Sequence, residues 1–104
     1  MKPSPRYKHY DLGQQILGTM VEVRLSCINN VFLMDHENFE RYGEAKSYKA
    51  IGGRTEKSPA RLTIPANGQW HLVVDKAGFQ VLANSNVRAM LPPVRRPVNS
   101  PAAA

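Results

Sequence analysis

The chain has 104 residues and a mass of 11.6 kDa, 42% of it hydrophobic, which is the size and apolar content of a single domain with one core. Fourteen basic against eight acidic residues give a formal net charge of +6, which points toward an acidic partner such as nucleic acid. The single cysteine, Cys27, excludes an internal disulfide, and the longest wholly apolar run, Val31 to Met34, is far short of the ~18 residues of a membrane span.

Residues 1–8 are basic and carry Pro3 and Pro5, without the apolar stretch of a signal peptide, and they read as a flexible tail. A cytoplasmic location is the default expectation. From Met20 to Cys27, Val21, Val23, Leu25 and Cys27 alternate with Glu22, Arg24 and Ser26, the period of a half-buried strand with Cys27 facing inward. Asn29 and Asn30 then predict a turn, with Val31 to Met34 as the second strand of a hairpin. Asp35 is placed to cap a short helix in which Phe39 and Tyr42 share a face and Gly43 offers the stop. A strand over Tyr48 to Ile51 is expected to break at Gly52 and Gly53, which read as a bulge or hairpin corner.

Leu62 and Ile64 alternate with Arg61 and Thr63 before Pro65 ends the run. Asn67-Gly68 is the strongest hairpin signal in the chain, because it supplies the positive φ angles of a tight turn. The strand after it, Gln69 to Asp75, turns Trp70, Leu72 and Val74 to one face and His71 outward to the other. Phe79 to Ala83 and Val87 to Leu91 complete the alternation. The last residues, 92–104, are rich in proline and alanine and read as a second tail. The chain is thus expected to be mainly β, a compact antiparallel β-sandwich or small closed β-barrel of six to eight short strands with one short helix, with its single domain over residues 9–91.

Charge follows the same division. Lys2, Arg6, Lys8, Arg95 and Arg96 lie in the two tails, leaving a body of nine basic and eight acidic residues, nearly neutral. Within the body, residues 41–61 hold six basic and two acidic residues interleaved with Tyr42 and Tyr48, a pattern that suits single-stranded nucleic acid.

No spacing among His9, His36, His71, Cys27 and the acids marks a metal site. His71 and Asp75 share a strand face but stand roughly 13 Å apart. No nucleophile is paired with a base, so neither a catalytic constellation nor a cofactor is expected. Candidate ligand contacts are Asp35, Asn38, Tyr42, Tyr48 and Arg54, on the helix region and the loop that follows it. Asp35 and Asn38 also have a simpler employment as cap and turn formers.

Taken in order, HYDLG at 9–13, LMDHENFERYG at 33–43, the paired glycines 52 and 53, SPARLTIP at 58–65 and GQWHLVVD at 68–75 resemble a small bacterial family known as domain of unknown function 1883. The resemblance spans residues 9–91. It implies a compact, mainly β domain, found alone or joined to Toll/interleukin-receptor-type domains, and brings no established activity. Such fusions suggest a domain that senses or recruits something for an attached effector. The expected function is therefore a non-enzymatic recognition module for a protein or small ligand. The alternatives are a nucleic-acid-binding protein using residues 41–61 and, with least support, a small enzyme. No membrane partner is expected, and the chain is expected to be a monomer or homodimer.

Overall fold

A computed structural model of the chain describes residues 6–92; the stretches 1–5 and 93–104, which hold most of both expected tails, lie outside them. The element order is β1 (Tyr7–Gln15), β2 (Met20–Leu25), β3 (Asn29–Asp35), α1 (His36–Gly43), β4 (Ile51–Thr55), β5 (Ala60–Thr63), β6 (Gly68–Asp75) and β7 (Ser85–Met90). Two antiparallel sheets form, one in the order β1-β6-β3-β4 and the other in the order β5-β2-β7. They pack face to face as an open sandwich, so the barrel alternative is set aside. Tyr7 and Lys8, assigned to the tail by charge, are the first residues of β1.

The alternation read from the sequence places the core. Val21 and Val23 of β2 meet Val31 and Leu33 of β3 and Trp70, Leu72 and Val74 of β6, with Ile64 closing one end. Fully burying side chains of this size contributes ~1.5–3 kcal/mol each.

Pairing departs from expectation. β2 and β3 do not form a hairpin, because they belong to different sheets. The Asn67-Gly68 corner likewise joins β5 of one sheet to β6 of the other. Turn residues set where a chain reverses; burial sets which strand it meets. At this corner Ile64 is fully buried and exchanges backbone hydrogen bonds with the β1–β2 turn: its N–H donates to Thr19 O at 2.8 Å and its carbonyl accepts from Gly18 N at 2.9 Å. The Asn67 side-chain oxygen accepts from Leu17 N at 2.7 Å, which ties the corner to the same turn.

Three further expectations are corrected. Residues 79–83 form no strand: buried Asn29 takes the place of a ladder there, its side-chain oxygen accepting from Ala83 N at 2.7 Å and its amide donating to Val81 O at 3.0 Å. Cys27 is exposed, since β2 ends at Leu25 before the alternation reaches it. The paired glycines lie inside β4, which runs from Ile51 to Thr55, rather than ending a strand before it. Among the described residues no helix is long and apolar enough to cross a membrane.

Gly52 has φ +109°, and a Cβ there would sit 2.2 Å from the carbonyl oxygen of Val31, a backbone atom that cannot give way. Gly53 has φ +145° but open space around it. Gly52→Ala is therefore expected to destabilise the fold by roughly 3 kcal/mol and Gly53→Ala by about 1 kcal/mol, the latter from backbone strain alone. Urea unfolding of the two variants checks the difference; equal losses contradict it.

Candidate functional site

β6 is buried on both faces from Trp70 to Asp75. Trp70, Leu72 and Val74 face the second sheet, while His71, Val73 and Asp75 face α1, which lies across the outside of the four-stranded sheet. His71, expected to point outward to solvent, is only 4% exposed. The reason lies in α1. Asp35 caps the helix, its Oδ1 accepting from Asn38 N at 2.9 Å, and the helical period brings His36, Phe39 and Tyr42 to the sheet side.

His36 to Tyr42 spans roughly 9 Å of helix, so both ends of this stripe reach polar groups on β6. At one end His36 Nδ1 lies 3.0 Å from His71 Nε2, and His71 Nδ1 lies 2.7 Å from His9 Nε2 on β1. Phe39 stacks on both His9 and His71, with ring centroids 4.0 and 4.3 Å away. At the other end the Tyr42 hydroxyl donates to Asp75 Oδ2, while Asp75 Oδ1 accepts from Ala77 N at 2.6 Å and Arg6 approaches Oδ2 to 3.7 Å.

Glu40, whose carboxylate is 3.5 Å from His36 Nε2, favours one direction for the histidine chain, against the longer 4.0 Å approach of Asp11 Oδ1 to His71 Nδ1. A proton on His36 Nε2 leaves His36 Nδ1 to accept from His71 Nε2–H, and His71 Nδ1 to accept from His9 Nε2–H. Both ring nitrogens of His71 are then satisfied while it is neutral. Burial holds His71 below the usual imidazole value of 6.5, opposed by Asp11 and reinforced by His9 and His36, and burial lowers His9 as well, against Asp11. Burial, then the hydrogen bond to Asp75, raises the Tyr42 phenol above its ordinary value. His71 meets its two partners through opposite edges of its ring, so the histidines form a line rather than converging on a point. Among the described residues no group of three or more His, Cys, Asp or Glu side chains is arranged to hold a metal ion.

The five candidate contacts fall out differently. Asn38 donates its side-chain amide to Asp35 Oδ1 at 2.9 Å and accepts from Lys49 N at 2.8 Å, clipping the segment after the helix against α1. Tyr42 is buried. Tyr48 is half-exposed, set edge-on to Tyr42 at 5.1 Å and to Phe32 at 6.0 Å. Arg54 stands apart, paired with Glu56 at 3.0 Å and lying over Phe79. Beside α1 a cleft of about 310 Å³ opens, with Phe32, Tyr42 and Tyr48 as its aromatic wall, Arg6 and Lys46 beside them, and Asp75 also in its lining.

Sequence reasoning missed His9, His36, His71, Arg6 and Asp75 because their partners are remote: His9 and His71 are 62 residues apart, and Tyr42 and Asp75 are 33 apart. One signal was present. His71 and Asp75 share the strand face opposite the core, and two polar residues on a strand this apolar call for partners from another element.

With this geometry in view, the comparison with known families is decisive for kinship. Residues 5–93 match the family described as domain of unknown function (DUF1883). The chain belongs to the DUF1883 family. No curated protein and no solved structure matches it. The DUF1883 match takes in every element from β1 to β7, including both polar ends of the helix stripe.

Because burial holds His71 and His9 below the value of 6.5 that applies in the unfolded chain, the unfolded state takes up protons first as the pH falls through that value. Stability is full above it and declines below it. Urea midpoints are expected to fall between pH 7.5 and pH 5.5, and to fall less in His71→Gln, which keeps a polar side chain but cannot titrate. A midpoint independent of pH over that interval contradicts the arrangement.

Proposed function

We propose that the domain is a recognition module that takes a small ligand or protein segment into the helix-side cleft, binding a flat apolar group that carries a negative charge. The observation that carries this reading is Tyr48: its ring is half-exposed yet held edge-on by Tyr42 and Phe32, with Arg6 and Lys46 lining the same cleft. Aromatic rings held in place present contact area at low entropic cost, and a flanking cation orients a carboxylate or phosphate. A binding role is favoured over catalysis because each nitrogen of His71 is engaged by another imidazole, which leaves that ring a structural part.

The nucleic-acid alternative draws less support from the geometry. The basic residues of the 41–61 stretch do not form one surface but are distributed over separate elements, with Arg41 on α1, Arg54 on β4 and Arg61 on β5. Of its two tyrosines, Tyr42 is buried.

Titration of the labelled protein with a set of aromatic carboxylates, followed by amide NMR shifts, tests the reading. Shifts are expected at residues 44–50, Asn30 and Ala77. They are expected to vanish in Tyr48→Ala and to weaken about tenfold in Arg6→Ala, the scale of a hydrogen bond to a charged group. Shifts confined to another surface, or none, contradict it.

A further inference from the structure

The outer face of the three-stranded sheet carries a charge arrangement that the cleft does not use. Residues directly opposite in an antiparallel pair share a face, so Arg61, Glu22 and Arg88 form a row across β5, β2 and β7, and Arg24 follows about 7 Å further along β2. Glu22 is only 5% exposed, and its carboxylate lies 3.3 Å from Arg61, 3.3 Å from Arg88 and 3.7 Å from Arg24. One carboxylate thus positions three guanidinium groups, each more than half exposed, and leaves a local charge of +2 with N–H donors turned to solvent. Glu22 is the one acidic residue on these three strands.

The neighbouring row, toward one end of the sandwich, is Thr63, Met20 and Met90. Beyond it lie Leu17, in the β1–β2 turn, and Leu91, just after β7, with exposures of 61% and 75%. The two segments meet at this end, where a Cβ on Gly18 would be 3.4 Å from Pro92. An apolar tip is therefore continuous with a flat basic face.

We propose that this face docks the domain on an anionic lipid bilayer, with Leu17 and Leu91 entering the boundary between headgroups and acyl chains and Arg24, Arg61 and Arg88 pairing with lipid phosphates. A planar guanidinium fork matches phosphate geometry, and each basic residue close to an anionic surface raises affinity about fivefold. Exposed aliphatic side chains gain by entering the bilayer interface. Nucleic acid fits less well, because these rows hold no aromatic ring on which a base could stack and the aliphatic tip has no counterpart along a hydrated phosphate backbone. Docking of this kind is peripheral and needs no spanning segment. It is independent of the helix-side cleft, which lies on the opposite side of the sandwich and faces away from a bilayer bound here.

The test is cosedimentation of the full chain with phosphatidylcholine vesicles, with and without about 30% phosphatidylserine. Binding is expected to the anionic vesicles alone, to weaken with rising salt, and to fall about fivefold in each of Arg61→Gln and Arg88→Gln. The pair Leu17→Ser and Leu91→Ser changes exposed positions, so it is expected to leave the unfolding midpoint in place while weakening binding severalfold. That pair carries the test should an arginine variant lose its circular-dichroism signature. The proposal is overturned by no binding at low salt, by binding that survives both sets of substitutions, or by an oligonucleotide that binds more tightly than the vesicles through the same arginines.

Discussion

Strand β6 is covered on both faces, and most of the structure follows from the different ways those faces are made comfortable. One face is aliphatic and aromatic and packs against the second sheet. The other carries His71 and Asp75, polar groups that cannot be buried without partners. A helix of eight residues supplies both, His36 at its first turn and Tyr42 near its last, and Phe39 fills the space between by stacking on the imidazoles. The helix is too short to be stable alone, so its place on the sheet is owed to these contacts and to the Asp35 cap. In turn it forms one wall of the cleft.

The elements with a clean two-residue period were legible in the sequence. β2, β6 and the centre of β3 are where Val21, Val23, Val31, Leu33, Leu72 and Val74 place them, and the Asp35 cap starts α1 as its residue type predicts. β1 was legible only as a motif, because its Asp11/Gly13 register shift breaks the period and its first residues share the charge of the amino-terminal stretch. Pairing was not legible at all. Alternation tells which side chains share a face and nothing of which strand lies alongside, so the Asn67-Gly68 signal located a corner correctly and named the wrong neighbour.

The site divides in the same way. Asp35 and Asn38 were open to a reading as cap and turn formers, and that is the work they do here, extended by the bond from Lys49 N that brings Tyr48 against the helix. The histidine line joins residues from three separate elements, so no local pattern announces it. Net charge was equally uninformative until it could be placed. Arg24, Arg61 and Arg88 look like scattered cations in the sequence, and the sheet register gathers them around Glu22.

The central claim is that His71 is a buried neutral link between two other imidazoles, holding α1 on β6. Imidazole nitrogen NMR across a pH titration tests it most directly. The account predicts that His71 carries its proton on Nε2 and titrates below pH 6.5, with His9 also titrating below that value. A His71 that titrates at 6.5 or above, in rapid exchange between tautomers like a ring in water, contradicts it.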